Sequence, residues 1–120
     1  MYIAETNSTN TLLREKYLDE ASLFTVYTDF QTGGRGQQGN SWESERGQNL
    51  LFSVLVRDTH WAAREPFKLS MAVSLALLYT VHATIDEKGD QRLTIKWPND
   101  IYYGEHKLAG ILIENILTGN

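Results

Sequence analysis

From Leu23 the chain alternates. Phe24, Val26, Thr28 and Phe30 fall on one side, Thr25, Tyr27 and Asp29 on the other, which is the period-2 pattern of a half-buried strand. Upstream, Ser8 and Thr9 are good N-cap residues for a short helix over roughly residues 10–20, with Leu12, Leu13, Tyr17 and Leu18 turned inward. Residues 1–10 are mostly polar and show no such period. Residues 31–48 are polar too and hold five of the nine glycines: Gly33, Gly34, Gly36, Gly39 and Gly47. A structureless loop of that length inside a compact domain is usually functional. Residues 49–57 carry apolar side chains at both parities, Leu50, Phe52, Val54 and Val56 against Leu51 and Leu55, which predicts a central strand buried on both faces.

A second helix opens at Glu65-Pro66, with proline in the first turn, and the pattern carries it to about position 86. Phe67, Met71, Leu78 and Ile85 sit at helical spacing, and apolar residues surround the rest, which predicts a buried helix. Residues 69–85 are uncharged but are broken by Ser70, Ser74, Thr80, His82 and Thr84, short of the ~18 apolar residues a membrane span needs. After a turn at 87–90, Leu93, Ile95 and Trp97 alternate with Thr94 and Lys96 until Pro98 interrupts the ladder. Residues 101–103 and 106–116 then form a hairpin about Gly104-Glu105, where glycine suits a type II′ turn. That turn sets Tyr103 against His106, Tyr102 against Lys107 and Asp100 against Ala109, and puts Asp100, Tyr102, Lys107 and Ala109 on one face. The order of elements predicts an α+β fold with a mixed, largely antiparallel sheet.

At 120 residues the chain fits one domain. Eleven basic against fifteen acidic residues give a net charge of -4, which argues against a broad nucleic-acid-binding face. With no cysteine there is no disulfide, no cysteine-ligated zinc and no thiol nucleophile. The first ten residues lack a signal-peptide layout, so a soluble, cytoplasmic protein is expected. His60, His82 and His106 are scattered without metal-ligand spacing, and there is no G-x-S-x-G.

Gly34-Arg35-Gly36-Gln37-Gln38-Gly39 spells G-x-G-x-x-G, but no helix follows as a dinucleotide fold requires, and neither kinase motifs nor G-K-[ST] accompany it. What remains is a run of glycine amides able to approach an anion, with Arg35 to pair with a carboxylate or phosphate; the plainer alternative is a flexible surface loop. Lys96-Trp97-Pro98-Asn99-Asp100 joins a charge, an aromatic and a turn, or is simply a strand end with its aromatic in the core. Lys107 begins a strand whose later residues are small or apolar; it either neutralises an anion or snorkels to the sheet edge.

Taken in order, four segments resemble the catalytic domain of the biotin protein ligases (biotin–[acetyl-CoA-carboxylase] ligases). Ser8-Thr9-Asn10 is similar to that family's S-T-N, and residues 31–42 to its Q-x-x-G-R-G-R-x-G-R-x-W loop. K-W-P-N-D at 96–100 and K-L-A-G-I-L at 107–112 match without change. The resemblance implies a class II aminoacyl-tRNA-synthetase/biotin-ligase-like fold, with helices on one side of the sheet. It also implies ATP-dependent activation of biotin to biotinyl-5′-adenylate, with Mg²⁺ assisting, and transfer to a lysine of a biotin carboxyl carrier domain of a biotin-dependent carboxylase. By the same resemblance Lys107 and Arg35 are catalytic. Ser8, Thr9, Asn10, Gln31, Arg35, Gly36, Gln37 and Lys107 bind biotin. Gly34, Arg35, Gly36, Gly39, Trp42, Lys96, Asn99 and Asp100 bind ATP or the adenylate. No protein motif holds a metal of its own; Mg²⁺ comes with ATP, near Asp100. Nucleic acid and membrane are not expected partners, and a homodimer is compatible with the family.

Two departures stand out. Gln37 and Asn40 occupy positions where well-known members carry arginines. The family also continues past the equivalent of Glu114 with further strands and a small β-barrel domain, so residues 1–120 are expected to be the front part of a catalytic domain, with no DNA-binding domain ahead of it. Other readings remain open at this point: a lipoate–protein ligase, which shares the fold and the acyl-adenylate; a non-catalytic module that binds biotin or a carrier protein; and, less favoured by charge, a nucleic-acid-binding module.

Overall fold

The computed structural model describes residues 1–20, 22–57, 64–85 and 92–116. The chain divides into two compact units, residues 1–58 and 59–120.

The first unit opens with a strand, β1 (Tyr2–Thr6), followed by α1 (Thr9–Lys16) and β2 (Leu23–Gln31). A small ribbon comes next, β3 (Gly34–Arg35) and β4 (Ser41–Trp42) about a tight turn at Gln37–Gly39, and then β5 (Leu51–Val56). β1 runs parallel to β2, Tyr2 opposite Tyr27 and Thr6 opposite Gln31, with α1 as the crossover. β5 is antiparallel to β2, so β2 is the central strand. Ser8, extended at φ -154°, caps α1 by accepting from the Thr11 amide. Leu12 and Leu13 then pack on Val26, with Ile3, Tyr17, Phe24 and Leu55 around them. The Tyr17 and Phe24 rings stack at 5.3 Å. The alternation of β2 is as expected: Val26 and Thr28 are buried, Thr25, Tyr27 and Asp29 exposed.

Three features of this unit depart from the sequence reading. β1 went unread because its side chains bury little; backbone pairing with β2 holds it, and that leaves no hydrophobic period. The glycine-rich stretch is partly a hairpin rather than structureless. β5 lies at the edge of its described sheet, not at the centre: Leu51, Ser53 and Leu55 turn inward, while Phe52, Val54 and Val56 are exposed. Its apolar residues at both parities mark two apolar faces, but the eight-residue α1 covers only one.

The second unit holds α2 (Pro66–His82), β6 (Leu93–Lys96), β7 (Asp100–Tyr103) and β8 (His106–Gly110), the strands forming an antiparallel meander. α2 packs on β6 and β7, where Ile101 is fully buried. The helix starts at Pro66 as expected, stops at His82, and is not a buried helix: Phe67, Met71, Val73, Leu75 and Tyr79 are exposed and only Ser74 is buried. Strands of four or five residues cover one strip of a helix that is apolar nearly all round. Gly104 has φ 58° and Glu105 does not share a positive φ, which fits the type II′ turn.

Tyr103 pairs with His106 and Tyr102 with Lys107, as read from the sequence. A bulge then shifts the register, so that Ile101 meets Ala109 and Asp100 meets Gly110. The extra residue, Leu108, moves Ala109 to the face opposite Asp100 and Lys107, correcting the expectation that it shares theirs. β8 ends at Gly110 rather than at 116. The expected turn at 87–90 and His60 fall outside the described residues. Among the described residues no helix is long and apolar enough to cross a membrane.

Candidate functional site

In the first unit, the parallel pairing of β1 and β2 decides which residues meet. It continues past both strands, with Thr32 N–H donating to Thr6 O at 3.0 Å and Gly33 N–H to Asn7 O at 2.8 Å. The start of α1 is thereby laid beside the end of β2. Thr9 donates from its backbone amide to Gln31 Oε1 at 2.8 Å and from its hydroxyl at 3.0 Å. Its Oγ1 also lies 2.7 Å from Ser53 Oγ, and Ser53 reaches the side chain of Asn10. Thr9 and Ser53 are buried, so this is a polar network inside a small core, and buried Ser8 beside it is engaged as the cap of α1.

Gln31 leads into the glycine hairpin. Gly34 pairs with Trp42 and Arg35 with Ser41. A side chain at Gly34 is impossible without movement, since a Cβ there would stand 2.4 Å from the Trp42 carbonyl oxygen. The turn closes through Gly36 N–H to Asn40 O at 2.7 Å and Asn40 N–H to Gln37 O at 3.0 Å. Arg35, Gly36 and Gln37 are half-buried on this hairpin, whereas Gly39 and Asn40 are exposed at its tip. Phe30, Gln31, Gly33, Gly34, Trp42 and Ser44 line an open cleft of about 250 Å³. The Ser44 hydroxyl is buried there without a hydrogen-bond partner among the described residues. Arg46 pairs with Glu5 and its guanidinium sits 4.5 Å from the Phe30 ring centre, fixing the return of the chain.

The second unit carries the charged candidates. Lys96 pairs with Asp100 across β6 and β7, and Tyr102 with Lys107 across β7 and β8, so all four share a face. Lys107 Nζ lies 2.9 Å from Asp100 Oδ1, and Lys96 Nζ lies 5.5 Å from the Tyr102 ring centre. Asn99 pins the turn before β7, donating from Nδ2 to Ile111 O at 2.7 Å and accepting from Ile111 N–H at 2.9 Å. Trp97 is not a core aromatic: it is exposed and meets Phe67 at 5.1 Å. Ser74 Oγ donates to Pro98 O at 3.2 Å, tying α2 to the same turn. His82 and His106 are exposed, and among the described residues no three His, Cys, Asp or Glu side chains gather to hold a metal.

The sequence candidates thus fall into two sets. Thr9, Asn10 and Gln31 are gathered in one hydrogen-bonded group of the first unit, with Ser8 capping α1 beside it and Gly34, Arg35, Gly36, Gln37 and Trp42 on the adjoining hairpin. Lys96, Asn99, Asp100 and Lys107 are gathered in the second. The sequence reading missed Ser53 and Ser44. Ser53 was detectable as the one hydroxyl inside the apolar run 50–56, at an inward parity; Ser44 sits in a polar stretch where nothing sets it apart.

The family model of the biotin/lipoate A/B protein ligase family matches residues 2–120. The chain is 32% identical over 113 residues to the bifunctional ligase/repressor BirA of Escherichia coli (strain K12), covering 94% of this chain and 33% of that protein. It spans about a third of the length of that curated relative. A biotin protein ligase from Aquifex aeolicus in complex with biotin and ATP superposes with a TM-score of 0.80 at 28% identity, covering 96% of this chain and 46% of that one. The biotin protein ligase of Leishmania major in complex with biotinyl-5-AMP gives 0.77 at 28% identity, over 96% and 51%. With an α+β architecture shared across those structures and a family match over nearly its whole length, the chain belongs to the biotin/lipoate A/B protein ligase family.

Proposed function

We propose that this chain supplies biotin-binding and adenylating residues of a biotin–protein ligase. The observation that carries the reading is the neutral pair of buried Thr9 and half-buried Gln31, hydrogen-bonded to each other beside buried Ser8 at the entrance to the glycine hairpin. A cyclic urea is polar but uncharged, and fixed neutral donors and acceptors suit it where a charged side chain would be left desolvated. Two solved relatives titled as biotin protein ligases, one with biotin and ATP and one with biotinyl-5-AMP bound, support the same choice.

The chemistry runs in two steps. A carboxylate oxygen of biotin bonds to the α-phosphorus of ATP, the bond from that phosphorus to the bridging oxygen breaks, and pyrophosphate leaves. A lysine amine of a carrier domain then attacks the acyl carbon of the mixed anhydride, forms the amide, loses a proton and releases AMP. In the first step two anions approach each other, and Lys107 is the cation we assign to offset their repulsion, with Asp100 holding its ammonium in place. Lys96 adds charge on the same face, and Asn99 fixes the turn that presents both. On the hairpin, Arg35 suits phosphate oxygens, Gly34, Gly36 and Gly39 keep side chains out of their way, and Trp42 shields the adenylate from water. Asn10 and Gln37 complete the neutral biotin contacts. Magnesium ordinarily binds through one or two carboxylates together with substrate phosphates, so Asp100 suits it as one ligand; with ATP bound it would neutralise phosphate charge. The reading places the protein in the cytoplasm, where ATP is available, with the carrier domain of a biotin-dependent carboxylase as its protein partner.

The test is ATP–pyrophosphate exchange by the full-length protein with biotin or lipoate as the acid. Exchange that depends on biotin and not on lipoate supports the reading; dependence on lipoate alone would replace it with the other branch of the family.

A further inference from the structure

On the sheet of the second unit, Ile95 pairs with Ile101 on one face, where Ile101 is fully buried, and Thr94, Lys96, Asp100, Tyr102 and Lys107 share the other. The charged side chains of that second face do not pair with the residues opposite them. In the strand registers Lys96 stands opposite Asp100, and Lys107 opposite Tyr102. The contacts run diagonally instead: Lys107 Nζ lies 2.9 Å from Asp100 Oδ1, and Lys96 Nζ lies 5.5 Å from the Tyr102 ring centre. Straight and diagonal neighbours are both within reach of a long side chain on a sheet, so the register alone does not decide which lysine takes the carboxylate.

Asp100 is the only carboxylate that β6, β7 and β8 contain, and two ammoniums stand around it. If Lys96 turned to the residue opposite it, both lysines would share that one carboxylate, and Lys107 would lose its sole claim to it. The ring of Tyr102 gives Lys96 a seat that uses no carboxylate, because the face of an aromatic ring attracts an ammonium within about 6 Å. Tyr102 is half-buried and Lys96 exposed, so the ring stays fixed while the ammonium remains open to solvent. Among the described residues Lys96 has no carboxylate partner. We propose that Tyr102 is a positioning residue of this face: its ring holds Lys96 off Asp100, so that Asp100 stays committed to Lys107 and Lys96 stays available to an incoming anion. An anion that reaches Lys96 then breaks no ion pair to do so. The inference rests on the reading of Lys107 and Lys96 as cations of the adenylation step. It needs the aromatic face of residue 102 and not its hydroxyl, which separates it from a role in hydrogen bonding.

Two measurements on the full-length protein test it, below the thermal transition of every variant. The first needs no ligand and follows the side-chain carboxyl carbon of Asp100 by NMR. With the ring in place, Lys96→Gln should leave that resonance nearly unmoved. In a Tyr102→Leu background the same substitution should move it, because Lys96 has by then turned to Asp100. An equal response in both backgrounds would overturn the proposal. The second is the limiting rate of adenylation at saturating biotin and ATP. Tyr102→Leu should lower it about two- to fivefold, the worth of one exposed cation–π contact, with the KM for biotin unchanged. Tyr102→Phe, which keeps the ring face, should match wild type. In a Lys96→Gln background Tyr102→Leu should cause no further loss, since its effect is transmitted through Lys96. A phenylalanine variant as slow as the leucine one, or an equal loss in both backgrounds, would contradict the assignment. If the wild type does not adenylate biotin, the functional reading fails, and the Asp100 resonance still decides the role of Tyr102.

Discussion

The two units carry their polar groups in opposite ways. In the first, Ser8, Thr9 and Ser53 are buried and neutral, Thr9 and Ser53 are joined to each other while Ser8 caps α1, and the nearest charge on the hairpin is Arg35. In the second, Lys96, Asp100, Tyr102 and Lys107 sit on a sheet face where the lysines are exposed. A buried neutral network fixes directions and suits recognition, because each group can accept only a matching partner. An open cationic face suits charge that develops during reaction, because its cations remain solvated until an anion arrives. On the function proposed above, specificity would belong to the first unit and electrostatic catalysis to the second.

The largest expected effect lies in the second unit. Lys107→Ala should slow adenylation by about 10²–10³, the usual result of removing one electrostatic donor at a reacting centre. Steady-state pyrophosphate exchange by the full-length protein measures it, and an unchanged rate would remove Lys107 from the mechanism. A smaller but still substantial loss is expected at the hairpin. Gly34→Ala puts a carbon 2.4 Å from a backbone oxygen, which should cost about 1–3 kcal/mol of stability, read from the denaturation midpoint. If the hairpin tolerates the methyl group, its close pairing does not hold the cleft.

Smaller again is the effect of restoring charge to the hairpin. Gln37 is neutral, and a charge-assisted hydrogen bond is roughly twice as strong as a neutral one. Gln37→Arg should therefore slow release of pre-formed biotinyl-adenylate by about two- to fivefold at low salt. Equal off-rates would mean that the charge is already supplied elsewhere. The smallest effect concerns Tyr2, whose hydroxyl donates to Asp29 Oδ2 at 2.5 Å. That hydrogen bond, followed by desolvation and the Asp29 charge, holds the phenol above its ordinary value of 10.0. Because the folded value is the raised one, the contribution is present below the unfolded value and is lost as pH rises through the folded one. Wild type should thus lose stability relative to Tyr2→Phe between about pH 8 and about pH 11, and a constant difference across that range would contradict it.

Local pattern made part of this legible. The alternation of β2, the cap at Ser8 and the Gly104 turn each depend on residues near in sequence, and each is where the pattern puts it. Pairing between distant segments was not legible. Nothing in residues 1–10 announces a strand whose stability comes from the β2 backbone. Nothing local to Leu108 announces the bulge that turns Ala109 away from Lys107. Apolar content along α2 and β5 records how many faces are apolar, but not how many the neighbouring elements cover. At the site, the chemistry-bearing residue types stood out by motif, whereas Ser53 is a single hydroxyl in an apolar strand, and only the meeting of β5 with α1 gives it partners.

The division between recognition and catalysis is tested most directly by single-turnover trapping of labelled biotin as its adenylate, at saturating biotin and ATP, in the full-length wild type and its Gln31→Ala and Lys107→Ala variants. The account predicts that wild type accumulates adenylate and that Gln31→Ala needs more biotin but reaches nearly the same limiting rate. Lys107→Ala should remain about 10²–10³ slower however much biotin is added. Equal slowing of both variants at saturation, or a wild-type limiting rate in Lys107→Ala, would contradict it.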